Sequence, residues 1–191
     1  MTALTVLRTP LTAADWASLG IDRMRVGGVA LETGPPGWGF SAVAGTLPVD
    51  TWAAPSPDGN RPAHRSAATK IDHVVLVAPD LDEVEAAIRT ALALEPRRRA
   101  TPRPGGPTMA FYRAGEAVIE VVGRGTTWSL WGVALRVASM EAAVAAAGPA
   151  LSAPRAAIQG GLMAEAARRW DGFSVAMYSK PDSPGGLAGK G

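Results

Sequence analysis

The sequence predicts an α+β protein: two βαβββ units that follow an N-terminal extension containing a β-hairpin. Two observations predict the paired units. The segment from Ile71 to Asp82 reads as a strand running into a capped helix, and the segment from Leu130 to Glu141 repeats that layout. A matching pair of closing strands follows, with Gly115 to Val121 corresponding to Gly172 to Tyr178. A third observation predicts the hairpin. Gly34-Pro35-Pro36-Gly37 is a strong turn signal between two apolar runs.

Taken in order, residues 1–23 show little commitment beyond one short helix, capped by Thr12, spanning Ala13 to Leu19 and ended by Gly20. Strands are expected from Met24 to Glu32 and from Trp38 to Ala44, paired across the Gly34–Gly37 turn. Pro55 to Lys70, rich in Pro, Ser, Asp, Gly and Asn, reads as a linker. Residues 1–70 are thus an extension, and its hairpin should pack on the main domain because so short a segment cannot build its own core.

The main domain is expected over residues 71–179, with units at 71–123 and 128–179. The strand Ile71–Val77 is almost continuously apolar, as when both faces are covered. Asp80 with Glu83 forms a capping pair, and Leu81, Val84, Ile88 and Leu92 fall on one helical stripe. Strands at Arg97–Thr101, Thr108–Arg113 and Ala117–Val122 complete the first unit. The second repeats the order more loosely, with Met140, Val144 and the alanines at 145–147 as its helical face. Residues 180–191 have the composition of a disordered tail.

Composition narrows the function classes. Hydrophobic residues make up 47% and charged residues 19%, ordinary for a globular protein. The net charge of +2, from 19 basic and 17 acidic residues, is too balanced to argue for nucleic acid. There is no cysteine, which removes disulfides, thiolate ligands and a cysteine nucleophile. No apolar run approaches the roughly 18 residues of a membrane span, and no signal peptide opens the chain, so a cytoplasmic location is expected. The expected partner is a small-molecule ligand, with neither nucleic acid nor membrane, and a homodimer is left open.

The opening IDHVVLVAPDLDE, the close FYRAGEAVIEVVG, the restart LWGVALRVASME and the segment APRAAIQGG resemble the vicinal oxygen chelate (VOC) superfamily. That superfamily includes glyoxalase I, bleomycin-resistance proteins and extradiol dioxygenases, and the resemblance covers residues 71–179. It implies a glyoxalase-like cup of strands around a pocket, with the first and last strands of each unit lending a metal ligand. His73 and Glu120 match those positions in unit one, and both suit a divalent ion. Gly132 and Met177 stand at the matching places in unit two, so the four-ligand site is incomplete.

Each residue also has a plainer reading. His73 can be a hydrogen-bonded strand histidine rather than a ligand. Glu120, set in an apolar run, is expected to face a wet pocket, since a buried carboxylate is costly unless partnered. His64 is read as a solvated linker residue, and Arg97–Arg99 as the charges of an edge strand. Trp131, Met177, Gln159 and Tyr112 are the expected ligand-binding residues, with the first two turning half of the cup apolar. Two functions result. One is a small-molecule-binding protein with an incomplete metal site, which sequesters a hydrophobic ligand. The other is a metal-dependent enzyme of lyase, isomerase or dioxygenase type, in which His73 and Glu120 hold a weakly bound divalent ion.

Overall fold

The computed structural model describes residues 2–55, 62–157 and 160–180. The chain begins with β1 (Leu4–Thr9), α1 (Ala13–Ser18), β2 (Arg25–Val26), β3 (Val29–Thr33), β4 (Gly37–Phe40) and β5 (Asp50–Ala53). These strands form one sheet in the order β2-β3-β1-β4-β5. The start of the chain is therefore its central strand, not a loose lead-in. Leu4, Val6 and Leu7 are all buried, which leaves β1 suited only to an interior position. It separates β3 from β4, so the Gly34–Gly37 turn does not close a hairpin. The extension does contain one, between β2 and β3. Helix α1 is capped as expected, with a capping box in which Thr12 and Asp15 bond each other's backbone amides.

The larger sheet follows the expected order. Unit one is β6 (Ala68–Ala78), α2 (Leu81–Leu92), β7 (Pro96–Ala100), β8 (Met109–Ala114) and β9 (Ala117–Gly123). Unit two is β10 (Ser129–Val137), α3 (Met140–Ala147), β11 (Arg155–Ala156), β12 (Leu162–Glu165) and β13 (Ser174–Tyr178). The strand order β11-β12-β13-β10-β6-β9-β8-β7 is palindromic by unit, with β6 and β10 antiparallel at the centre. Each unit thus closes by laying its last strand parallel to its first. Asp80 caps α2 through the amides of Asp82 and Glu83, and Val84, Ile88, Ala91 and Leu92 bury its apolar stripe. Val74, Leu76, Ile119, Val133, Leu135 and Val175 share one core with that helix and with Leu7, Trp38 and Phe40 of the first sheet. Charged β7 lies at the sheet's edge, where Arg99 pairs with Glu85 at 2.6 Å. No helix among the described residues is long and apolar enough to cross a membrane.

The first sheet is a shortened copy of the middle of the second. In both, a first strand followed by a helix runs parallel to one neighbour and antiparallel to another, which in turn carries a parallel outer strand. The registers agree residue for residue. Val6 lies opposite Ala30 and Gly39 as His73 lies opposite Val118 and Ala134. Gly37 pairs with Asp50 as Gly132 pairs with Ser174. The sequence repeats faintly as well, Arg25-Val26-Gly27 through Leu31-Glu32 against Arg113-Ala114-Gly115 through Ile119-Glu120. Gly27 and Gly115 both adopt positive φ, at 59° and 67°. In this copy the cup is filled. A Cβ on Gly37 or Gly39 would lie 2.9 Å from the Trp52 ring, which covers both glycines.

The end of the linker is structured, and His64 is buried, not solvated. Its Nδ1 accepts from the Asp22 amide at 3.1 Å, and its Nε2 lies 2.9 Å from the Arg25 carbonyl, which can only accept. The neutral imidazole satisfies both. Linker residues 56–61 and the tail from 181 onward lie outside the described residues.

Two tests arise from this packing. A Cβ at Gly132 would meet the Ser174 carbonyl oxygen at 2.5 Å, between two parallel strands that cannot both yield. Gly132→Ala should cost about 2–3 kcal/mol in denaturant unfolding, whereas Gly28→Ala, with nothing nearer than 4.0 Å, should be close to neutral. The second test concerns His64. Burial lowers its pKa from the ordinary 6.5, opposed by the Arg25 hydrogen bond and the Asp22 charge. The unfolded chain then takes up the proton first, so this contribution is complete above 6.5 and is lost as pH falls towards the lowered folded value. Melting curves of the wild type and His64→Ala should differ most near neutral pH and converge on acidification. A gap that widens in acid would contradict this.

Candidate functional site

Two β-bulges set the chemistry of the cleft. In β6, Ile71 pairs with Leu135 and His73 with Ala134, leaving Asp72 as an extra residue. In β10, Leu130 pairs with Leu76 and Gly132 with Val75, leaving Trp131 as its counterpart. The two bulges are related by the pseudo-twofold, and each lets two successive residues serve one face. Unit one presents Asp72-His73 where unit two presents Trp131-Gly132.

The cleft between the units has a volume of about 260 Å³ and is lined mainly by apolar groups. This is near the lower end of small-molecule sites, which run about 300–1,000 Å³. Val75, Val77 and Val122 pack together on this face with Met109 and Trp131. His73 and Glu120 are the polar pair on its floor, with 30% and 18% of their side chains exposed. Glu120 reaches the cleft because it stands beside Val75 on the parallel neighbour β9. Its Oε2 lies 3.9 Å from His73 Nε2, too far for a direct hydrogen bond and wide enough for one atom of a ligand.

His73 is held from behind. Its Nδ1 lies 3.0 Å from Asp72 Oδ2, and Asp72 Oδ1 accepts from Arg136 Nε at 3.0 Å and from Nη2. Arg136 lies 4.2 Å over the Tyr178 ring, whose hydroxyl donates to the Gly160 carbonyl at 2.6 Å. Burial works against ionising Asp72, but hydrogen bonds from His73 and Arg136 and the guanidinium charge outweigh it and hold its carboxyl at about 2. An ionised Asp72 only accepts, so Nδ1 carries the proton. In the neutral ring Nε2 then presents its lone pair to the cleft.

Of the residues expected from sequence, His73, Glu120 and Trp131 meet in the cleft. Met177 and Tyr112 do not. Both are fully buried on the core side of the sheet, where burial also pushes the Tyr112 phenol up. Gln159 lies outside the described residues. The Met177 assignment fails by one residue. Gly115 is first in its two-residue turn, whereas Asp171 and Gly172 share the other turn, both with positive φ. Aligning the glycines therefore shifts β13 by one position, and a one-residue shift exchanges the faces. By strand register, the counterpart of Glu120 is Ala176, which does line the cleft. Asp72 escaped notice because strand alternation puts neighbours on opposite faces. The only available signal was its adjacency to His73.

The donor set does not fit a resident metal ion. Gly132 and Ala176 supply no ligand, and backbone contact bars a side chain at 132. Glu165, also in the cleft, is held by Arg155 at 2.7 Å. No group of three or more metal-binding side chains exists among the described residues.

No family model and no curated protein matches the chain. Similar solved structures include methylmalonyl-CoA epimerase from Mycobacterium tuberculosis, 14% identical over 61% of this chain and 91% of that chain, with a TM-score of 0.49. A hypothetical protein from Bacillus halodurans C-125 is 18% identical over 61% of this chain and 98% of its own, also at 0.49. A variant methylmalonyl-CoA epimerase from Streptomyces coelicolor, in complex with 2-nitronate-propionyl-CoA, is 16% identical over 60% of this chain and 99% of its own, at 0.48. At TM-scores below 0.5 this likeness carries no argument, and the paired βαβββ arrangement stands on the strand order described above.

Proposed function

We propose that the chain binds a small molecule with an apolar body in this cleft, gripping a hydrogen-bond donor of that molecule between His73 and Glu120. The observation that carries the reading is the pair His73 and Glu120, 3.9 Å apart in a mainly apolar cleft. An amine placed there can donate to the imidazole lone pair on one side and to the Glu120 carboxyl oxygen on the other, whereas a hydroxyl, with one proton, donates to one of the two. Asp72 fixes the tautomer that makes His73 an acceptor and would steady the imidazolium if the bound donor gave up its proton.

A neutral probe tests this. Naphthol should bind in calorimetric titration, and its methyl ether, which lacks the donor, should bind about tenfold more weakly, in line with the cost of leaving buried acceptors unpaired. His73→Ala should remove the difference between the two. Equal affinity of naphthol and ether for the wild type would sink the reading.

A second reading, a metal-dependent enzyme, is favoured by one observation. Tetrahedral zinc at about 2.0–2.2 Å from each donor sets two of them roughly 3.4 Å apart, and the 3.9 Å here lies about half an ångström beyond that. With two ligands any ion should be weakly held and removed by mild chelation. Titration of zinc, nickel, manganese and ferrous iron should show binding no tighter than this, lost in His73→Ala. Stoichiometric binding that resists chelation and disappears with His73→Ala would put the enzyme reading first.

A further inference from the structure

Arg124, in the turn after β9, stands 5.2 Å from the centre of the Trp131 ring, and Arg169, in the loop before β13, stands 4.6 Å from the same centre. Two elements from different units thus bring cationic groups within about 10 Å of each other on a single indole that lines the cleft. Among the described residues neither guanidinium has a carboxylate partner. Of the other arginines that stand over rings, Arg8, Arg136 and Arg168 each hold one, and Arg98, over Phe111 near the sheet's far edge, holds none among the described residues. Nor can the cleft's own acids serve. Glu165 is engaged by Arg155, and Glu120 faces His73 on the floor.

Like charges gathered without a counter-charge weaken one another's hold unless an anion joins them. Both guanidinium groups keep their planar donors free while the indole limits their motion, so little freedom is lost when they grip an oxyanion. From this we infer that the mouth of the cleft, at Arg124, Trp131 and Arg169, binds the anionic group of the ligand: a carboxylate, sulfonate or phosphate carried on a flat apolar body. The inference rests on the cleft reading above and names its substrate class. The ligand is bipolar, with a hydrogen-bond donor at the His73–Glu120 end and a negative charge at the arginine end. The ring of Trp131 and the valines Val75 and Val122 hold the part between.

The experiment compares naphthol with hydroxynaphthoate, the same body carrying a carboxylate. In calorimetric titration at low ionic strength, hydroxynaphthoate should bind the wild type at least tenfold more tightly, and the advantage should shrink as salt is raised. In the double variant R124Q/R169Q the advantage should disappear, while naphthol keeps its affinity. Both arginines are exposed, so the variant should retain the wild-type melting temperature. If naphthol binds but the carboxylate brings no gain, or the gain survives in the double variant, the anion site is overturned and the cleft reading stands. If neither probe binds, both fail.

Discussion

The antiparallel pairing of β6 with β10 sets which residues of the two central strands face the cleft, and β9, laid parallel to β6, carries Glu120 to the same face. The bulges at Asp72 and Trp131 are placed symmetrically about the pseudo-twofold. Without them Asp72 would face the core side of the sheet, opposite His73, and Trp131 would face away from the cleft. With them, one unit contributes an oriented imidazole and the other a broad apolar wall. The parallel pairing of β10 with β13 brings Ser174 so close to Gly132 that no larger residue fits. The asymmetry of the cleft is thus built into the backbone as well as into the side chains.

The chain Glu120, His73, Asp72, Arg136 and Tyr178 crosses four adjacent strands, β9, β6, β10 and β13. A half-buried carboxylate beside a histidine is costly to keep charged, and the guanidinium offsets that cost from the next strand. Its lowered pKa reflects the hydrogen bonds from His73 and Arg136, and the ionised carboxylate accepts from Nδ1. The imidazole then shows the cleft a defined face.

Much of this was legible in the sequence. The duplicated strand-helix openings at Ile71 and Leu130 marked both units, and His73 and Glu120, to which the family resemblance pointed, line the cleft with Trp131. What was not legible has physical causes. Alternation rules assume regular pleating, so the bulge residue Asp72 was invisible to them. The glycine alignment that pointed to Met177 ignored which position of a two-residue turn each glycine fills. Strand β1 was missed because a single short apolar run carries no pairing information, and its partners lie about 20 to 35 residues away in sequence. The arginines over Trp131 meet only in three dimensions.

The third, filled copy of the sheet shows what these bulges mean for change over time. Thr5 is the extra residue of β1, just as Asp72 is of β6, so all three first strands, β1, β6 and β10, share one insertion at one place. Replacing side chains on that frame has yielded an oriented imidazole, an indole wall and a plugged cup without altering the register. Losing or gaining one residue there would turn the rest of the strand inside out. The scaffold therefore admits wide exchange of residues at its cleft but resists insertions and deletions in its first strands. Novelty in this architecture is expected to come by substitution.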